Sequence, residues 1–374
     1  MRRLAVLVVL GVFACGPLSP PKADAGSGGG GGATGGGMGT GGGTGGGGSD
    51  GGTGGGVGTG GGLGGGGGGE DAGPSDAGSR DFSFSQVAVS SSSTAPILGV
   101  GGVSGALWAL QQSGRLLRSS GGGLSEAFAF TGNGVGLVVQ GMQVVVALAR
   151  ELRVCTAQCE REASYDSFDL SARGEFAEAV CASAMRSWAV TSNAQNDARV
   201  YRRDGTQWTS LGAVPLRYPA GCWEDATGAL WIAGQGGVVR FDGTGSFIAV
   251  GGPQVLYWSG VSYGTETFVV GAAATIGRLV DGGVVDVSQH PPGATFALAA
   301  VGGPSDAPFA LGVVQGSTQP RYLRWDGSSW LGVSTSLPAL VGSGSVNVVH
   351  TTSPNEVYFA GANDVGAWMV RGTR

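Results

Sequence analysis

Five cysteines and two histidines are the side chains of this sequence best suited to metal binding or nucleophilic chemistry. His290 and His350 each lie in or beside a segment that favours a β-strand, and neither has a second metal-ligating residue at ligand spacing. We therefore interpret both as structural histidines of the core or of loops. Since no histidine lies near the cysteines in the sequence, the cysteine pattern does not predict a zinc site.

Four cysteines form an even set, and their predicted chemistry is disulfide formation. They are Cys155, Cys159, Cys181 and Cys222. Three pairings are open. We favour Cys155–Cys159, which closes a short loop, together with Cys181–Cys222, which joins the inner strands of two neighbouring repeat units.

The carboxylates and serines give no catalytic pattern. Asp166 and Asp169 lie in an acidic stretch, but the alternating oxygen ligands of a calcium loop are missing, which favours an irregular solvated loop. The segment Gly342-Ser343-Gly344-Ser345 lacks the final glycine of a nucleophile elbow. The sequence predicts no catalytic residue, no metal site and no cofactor, and hence a protein that is not an enzyme.

Aromatic residues outside the repeat pattern are the remaining candidates for a binding site. Trp223, Tyr257, Trp258 and Tyr263 fall in or next to the inner strands of the fourth and fifth units. Exposed side chains of this kind would stack on sugars or hold a peptide. The alternative is that they pack one repeat unit against the next.

Charge excludes one class of partner. The formal net charge is −5, and the most basic spot is Arg202-Arg203, which lies beside Asp204. A protein that binds nucleic acid carries a basic face or run. The sequence therefore predicts no nucleic-acid partner.

The elements that position these residues are short strands in a repeat. Residues 229–247 contain an apolar strand, a Gly turn, a second strand, an Asp-Gly turn and the start of a third strand. The pattern Arg-x-Asp-Gly-x-x-Trp occurs at 202–208 and 324–330, and a related copy starts at Arg240. Seven apolar residues mark the centre of the second strand in each unit: Trp108, Val138, Trp188, Trp231, Phe268, Phe309 and Tyr358.

The mean step between these seven marks is about 42 residues, which matches a four-stranded propeller blade. The sequence thus predicts an all-β fold, a seven-bladed β-propeller over residues 81–374, with six or eight blades left open. The last unit lacks its outer strand. Residues 81–88 are predicted to supply it and to pair with the third strand of the last blade.

The N-terminus predicts export. A basic start and a ten-residue apolar run from Leu4 are typical of a signal peptide over residues 1–15. Residues 16–80 are predicted to be a disordered Gly-rich linker, since 32 of the 44 residues in 26–69 are Gly. Val12-Phe13-Ala14-Cys15 resembles a bacterial lipobox. The alternative is an ordinary signal peptide with an incidental cysteine.

The lipobox resemblance implies lipidation at Cys15, and Gly16 in place of an aspartate implies the outer membrane. The whole chain is similar to secreted propeller lipoproteins of Gram-negative bacteria. Residues 229–247 resemble the propeller repeats of periplasmic sensors in hybrid two-component regulators. We therefore expect a non-enzymatic module, held to the cell envelope through its lipid anchor, that binds a protein or glycan ligand. The alternatives are an outer-membrane assembly scaffold and, last, a glycan lyase or hydrolase.

Overall fold

Asp-Gly and Gly-Gly pairs fold the apolar segments into antiparallel hairpins. Gly205, Gly243 and Gly327 follow the aspartates of the Asp-Gly copies and have φ angles of 61°, 88° and 104°. Residues with a side chain rarely adopt such angles, so glycine fixes where the chain reverses. The sequence pattern and the turn geometry agree at these positions.

A computed structural model of the chain describes residues 82–156, 158–183, 186–288, 296–314, 320–332 and 340–374. Apart from three one-turn 3₁₀ helices (Glu162–Ser164, Ser171–Arg173 and Ala272–Ala274) and two helical residues at 340–341, the regular structure there consists of 28 strands. No helix among these residues has the length and apolar character needed to cross a membrane. The predicted signal peptide, Cys15, the predicted linker and His290 lie outside the described residues.

Five separate sheets have four or five strands each. The first contains β2 (Val89–Ser90), β3 (Ile97–Val103), β4 (Ala106–Gln111), β5 (Arg115–Ser120) and β6 (Gly123–Ala129), with β2 parallel to β6. The second contains β7 (Gly134–Gln140), β8 (Gln143–Leu148), β9 (Glu151–Cys155) and β10 (Asp166–Asp169). The third contains β18 (Tyr257–Tyr263), β19 (Glu266–Gly271), β20 (Ile276–Val280) and β21 (Gly283–Asp286).

The fourth contains β22 (Phe296–Gly302), β23 (Phe309–Val314), β24 (Pro320–Trp325) and β25 (Trp330–Gly332). The fifth contains β1 (Ser83–Val87), β26 (Gly344–Ser353), β27 (Glu356–Asn363) and β28 (Ala367–Thr373).

A sixth sheet has seven strands, and this corrects the predicted blade count. Its strands are β11 (Phe176–Ala182), β12 (Ser187–Ser192), β13 (Asp197–Asp204), β14 (Gln207–Glu224), β15 (Leu230–Gln235), β16 (Gly237–Phe241) and β17 (Phe247–Val250). The 18-residue β14 pairs with β13 through its first part and with β15 through its last part. The described residues therefore form five separate blades and one continuous sheet, and not seven separate blades.

The inner strands form a closed ring in chain order. They are β3, β7, β11, the second part of β14, β18, β22 and β26. Each contacts the next, and β26 contacts β3. Buried apolar side chains fill the spaces between neighbouring sheets, and a cavity lies at the centre of the ring. This all-β arrangement is a β-propeller.

The first strand closes the ring, as the sequence predicts. Within the predicted segment 81–88, β1 pairs antiparallel with β28, the third strand of the last sheet. Phe84 lies opposite Gly372, and its ring packs against Phe359 with the centroids 5.5 Å apart. The outer strand of the last blade thus comes from the other end of the domain.

The repeat marks coincide with cross-strand pairs of an aromatic residue and an arginine. In six units the second-strand aromatic lies opposite the repeat arginine of the third strand: Trp108–Arg118, Trp188–Arg202, Trp231–Arg240, Phe268–Arg278, Phe309–Arg324 and Tyr358–Arg371. The guanidinium of Arg240 lies 5.5 Å from the ring centroid of Trp231, within cation–π range. These residues are architectural.

The mark assigned to the second unit was wrong. Val138 lies in the inner strand β7, not in the second strand, and its cross-strand partner Val145 in β8 occupies the marked position. In this unit Val145 pairs with Val154, so two valines occupy the positions where the other units have an aromatic residue and an arginine. The aromatic signal on which the prediction relied is therefore missing here.

Candidate functional site

A central cavity lies inside the ring of inner strands. It has a volume of about 1160 Å³ and receives side chains from every inner strand. Most of the lining is apolar, with Leu98, Leu137 and Val180 as examples. Among its described lining residues, Glu178 and Arg217 are the charged ones. The cavity thus has an apolar wall with a small number of polar groups, which is the usual composition of a binding site.

Each inner strand bulges where it borders the cavity. Its pairing with the second strand skips one residue in six units, and the skipped residues line the cavity: Leu98, Val135, Glu178, Trp258, Ala299 and Asn347. In β14 the register passes from Arg217 to Gly221, so the bulge there is longer and contains Tyr218, Pro219 and Ala220. A bulge redirects side chains and interrupts the ladder, so these positions form a ring of non-standard backbone.

One arc of this ring carries the polar and aromatic side chains. Glu178 of β11, Tyr218 of β14 and Trp258 of β18 occupy the bulges of three consecutive inner strands. The remaining bulges carry aliphatic side chains except for Asn347. The hydroxyl of Ser192 donates a hydrogen bond to the Glu178 carboxylate. The ring of bulges is therefore chemically asymmetric, with its aromatic and charged side chains on this arc.

The longest bulge displays two side chains to solvent. Leu216 is buried and fixes the segment, whereas Arg217 and Tyr218 are exposed. Tyr218 has a φ angle of 47°, and its backbone N–H donates to the carbonyl oxygen of Asn196 at 3.2 Å. The side chain of Arg217 has no hydrogen bond or ion pair with any residue that the structure describes. A left-handed non-glycine residue costs conformational energy, which is typical of functional loops.

Of the four aromatics predicted as a ligand platform, two are buried. Trp223 stacks on Trp231 with the ring planes 7° apart and the centroids 6.2 Å apart, and its Nε1–H donates to Ser262 at 3.0 Å. Tyr257 is fully buried, and burial raises the pKa of its phenol to about 12. Both pack neighbouring sheets together and cannot form an exposed platform.

The other two aromatics lie apart. The half-buried Tyr263 donates its hydroxyl to the carbonyl oxygen of Gly303 at 2.8 Å, and burial raises its pKa above the ordinary value. Trp258 lines the cavity. Of the predicted set, Trp258 thus lies at the cavity, together with Glu178, Arg217 and Tyr218, which sequence reasoning missed. The available signal was the proline-flanked segment Pro215-Leu216-Arg217-Tyr218-Pro219 just before the best-preserved repeat.

The cysteines lie as the favoured pairing predicts. Cys155 and Cys159 have Cα atoms 5.6 Å apart, and those of Cys181 and Cys222 are 5.7 Å apart, with both pairs joined as disulfides. Cys181 and Cys222 lie in β11 and β14, two neighbouring inner strands. They therefore hold two strands of the arc together.

His350 and Asp169, two further polar candidates, have structural partners. The Nε2–H of His350 donates to the carbonyl oxygen of Gly102 at 2.9 Å, and burial lowers the pKa of this imidazole. The carboxylate of Asp169 accepts from the backbone N–H of Ser171 at 2.7 Å and caps a turn. No group of three or more His, Cys, Asp or Glu side chains suited to a metal occurs within the described ranges.

The ring of sheets around a central cavity defines the chain as a β-propeller. No protein-family model and no curated protein matches the sequence. Among solved structures, the WD40 repeats of RRP9 superpose with a TM-score of 0.60 at 9% identity, over 79% of this chain and 100% of that one. YCF48 bound to D1 peptide gives 0.57 at 12% identity, over 78% and 97%.

The extracellular domain of the hybrid two-component system BT4673 from B. thetaiotaomicron gives a TM-score of 0.58 at 10% identity. It covers 77% of this chain, and this chain spans 40% of it. At such identities these similarities establish the fold and nothing finer.

Proposed function

We propose that this chain is a non-enzymatic binding module that holds a peptide segment of a partner protein at the bulged mouth of its central cavity. The observation that carries the proposal is the arc formed by Glu178, Tyr218 and Trp258, with Arg217 beside it, over a cavity whose lining is mostly apolar. Each of these side chains departs from the repeat pattern, whereas the residues of the repeat are used in packing.

The chemistry of the arc suits a peptide. The exposed guanidinium of Arg217 is free to pair with a carboxylate in two parallel hydrogen bonds. Tyr218 and Trp258 offer aromatic surface to an apolar side chain, and such residues often carry the energy of an interface. The cavity volume of about 1160 Å³ exceeds the range of about 300–1,000 Å³ for small-molecule pockets.

A structural neighbour supports this class of partner. YCF48, which shares the fold, has been solved bound to D1 peptide. The glycan alternative has less support, because two of the four aromatics that favoured it are buried between sheets. The enzyme alternative has less support as well, since the charged residues at the cavity are limited to Glu178 and Arg217 among the described lining residues.

We further propose that the module is exported and held at the cell envelope through Cys15. Two disulfides favour a periplasmic or extracellular location, since they persist in oxidising compartments. The Gly-rich residues 16–80 would act as the tether. Metabolic labelling with palmitate should modify the wild-type chain and leave the Cys15→Ser variant unlabelled. Equal labelling of both would reject lipidation at Cys15.

The binding proposal is tested with a random peptide library displayed on phage and selected against the purified full-length chain. We expect enrichment of peptides that combine an acidic residue with an aromatic or aliphatic one. A synthetic peptide of the enriched sequence should bind the double variant Arg217→Ala/Tyr218→Ala at least tenfold more weakly. Arg202→Ala, which removes the same charge from the repeat, is the matched control and should bind as the wild type does.

Two results would overturn the binding proposal. One is the absence of enrichment over an unrelated propeller. The other is an enriched peptide whose affinity is unchanged in the double variant. Thermal unfolding of both variants shows whether a loss of binding reflects a loss of fold.

A further inference from the structure

Arg203 is a buried cation whose guanidinium has no hydrogen-bond partner among the residues that the structure describes. It is 5% exposed, and Nε and both terminal nitrogens of its guanidinium are closed to solvent with no hydrogen bond. A buried charged group without a partner is strongly unfavourable, and native structures satisfy nearly all of them. Burial lowers the pKa of this guanidinium, and the opposing influence comes from Asp166. The feature calls for an explanation beyond packing.

The repeat identifies Arg203 as an exchange at a core position. It occupies the second place of Arg-x-Asp-Gly-x-x-Trp, where the other two copies have Phe241 and Trp325. Those two residues pair across the hairpin with Phe247 and Trp330, with ring centroids 4.9 Å and 5.6 Å apart. Arg203 pairs in the same register with Trp208. One aromatic of a buried pair is thus replaced by a cation.

The facing sheet lacks its aromatic at the same interface. Phe241 contacts Trp188, and Trp325 contacts Phe268. In both cases the second-strand aromatic of one unit packs against the third-strand aromatic of the unit that follows. Opposite Arg203, the marked position is Val145, and its cross-strand partner is Val154. Because large side chains are missing on both sides, a separate cleft of about 290 Å³ lies between β10 and the start of β14.

The cleft combines a buried charge, aromatic surface and polar side chains. Its lining residues are Val154, Asp166, Ser167, Phe168, Arg203, Thr206, Gln207 and Trp208. The half-buried rings of Phe168 and Trp208, with centroids 6.3 Å apart, supply aromatic surface. Asp166, Thr206 and Gln207 are exposed and form the rim. The cation of Arg203, the rings of Phe168 and Trp208 and the polar rim are together complementary to an organic anion.

We propose that this cleft binds a small carboxylate ligand, whose carboxylate pairs with the guanidinium of Arg203 and whose apolar part packs against Phe168 and Trp208. A guanidinium and a carboxylate match in planar, two-bonded geometry. The rim carboxylate of Asp166 opposes a second negative charge, which favours a monoanion over a phosphate dianion. Because the guanidinium nitrogens of Arg203 are closed to solvent, entry of the ligand requires side chains of the cleft to move.

The test uses phenylacetate, its uncharged isostere phenylacetamide and inorganic phosphate with the full-length chain. Binding is followed by saturation-transfer NMR and by the shift of the thermal unfolding midpoint. We expect phenylacetate to bind and raise the midpoint by a few degrees, with at least tenfold weaker binding of phenylacetamide and phosphate. Arg203→Leu should abolish the phenylacetate effect while keeping or raising the midpoint of the free protein, because it removes an unpaired buried charge.

Arg202→Leu is the matched control. It removes one positive charge from the adjacent residue, which pairs with Asp204 at the surface, and it should leave phenylacetate binding unchanged. Asp166→Asn should keep or tighten phenylacetate binding. Equal binding of phenylacetate and phenylacetamide would overturn the proposal, as would binding that survives Arg203→Leu.

Two further results would also overturn it. One is no phenylacetate binding up to tens of millimolar. The other is a lowered unfolding midpoint of the free protein in both Asp166→Asn and Arg203→Leu, because Arg203 would then be satisfied internally by Asp166.

Discussion

Phe84 lies directly opposite Gly372 in an antiparallel pair of strands that joins the two ends of the propeller. A Cβ atom on Gly372 would come within 2.7 Å of the Phe84 ring, so glycine is required for this contact. The ring of Phe84 packs on Phe359, and the neighbouring Phe82 packs on Phe309 with centroids 5.6 Å apart. Closure therefore depends on two aromatic side chains, one in the first strand and one just before it, that pack against the core of the last two sheets.

Phe84→Ala should lower the free energy of unfolding by about 2 kcal/mol, somewhat less than the 3–5 kcal/mol typical of a fully buried phenylalanine, because Phe84 is half-buried. Ser85→Ala, at the next and exposed position, is the matched control and should change it by less than about 0.5 kcal/mol. Urea denaturation followed by tryptophan fluorescence measures both. Equal stability of the two variants would show that closure does not depend on this contact.

The two disulfides should differ in their contribution. Cys181 and Cys222 are separated by 41 residues and Cys155 and Cys159 by 4. Loop-closure entropy then predicts a loss of about 4 kcal/mol for Cys181→Ala/Cys222→Ala and about 2 kcal/mol for Cys155→Ala/Cys159→Ala. Urea denaturation of each double variant beside the wild type checks the order. The reverse order would contradict the entropic explanation.

Much of the fold follows from local patterns in the sequence. The Asp-Gly turns at Gly205, Gly243 and Gly327, the aromatic marks and the orphan strand at 83–87 are encoded in a few adjacent residues each. Turn chemistry and the two-residue period of strands are short-range properties, and a repeat displays them several times. Where a repeat copy lacks its aromatic residue, as at Val145, the sequence pattern no longer locates the second strand correctly.

The candidate sites depend on long-range geometry and were harder to predict. Glu178, Tyr218 and Trp258 are about 40 residues apart in sequence, and each is distinguished by a bulge that no local pattern announces. The continuous β14 also follows from tertiary pairing, since Pro215 and Pro219 argue against one 18-residue strand. By contrast, the exchange of an aromatic for Arg203 is visible in the aligned repeat copies.

Acid should destabilise the propeller through Glu356. This residue is 5% exposed and accepts hydrogen bonds from Nε of Arg371 at 2.6 Å and from Ser104 at 3.2 Å. Burial alone would raise the pKa of its carboxyl, but the hydrogen bonds from Thr352, Ser104 and Arg371 outweigh burial and hold the pKa below its ordinary value.

Because the folded-state pKa is lowered, the contribution of Glu356 is complete above the unfolded-state pKa and is lost as pH falls through the folded-state pKa. Glu356→Gln should cost about 1.5–3 kcal/mol at pH 7, and the difference from the wild type should shrink on acidification. Urea denaturation between neutral and acidic pH measures this. Glu160→Gln, at an exposed partner of Arg118, should follow the wild type at every pH. A difference that is constant with pH would reject this role for Glu356.

The bulge that displays Tyr218 should be sensitive to Gly234. A Cβ atom there would lie 2.9 Å from the carbonyl oxygen of Tyr218 and 2.8 Å from Cδ2 of Leu216. Gly234→Ala should therefore displace the bulge and cost about 1–3 kcal/mol of stability, the range for overpacking. Gly332→Ala is the matched control, because no atom lies within 4 Å of its added Cβ.

Urea denaturation measures the stability of both variants, and the peptide selected for the cavity mouth is used to measure their binding affinity. If the proposed function is right, Gly234→Ala weakens peptide binding more than Gly332→Ala does, because it moves Arg217 and Tyr218 without removing either side chain. Unchanged affinity in a destabilised Gly234→Ala variant would place the peptide elsewhere on the propeller.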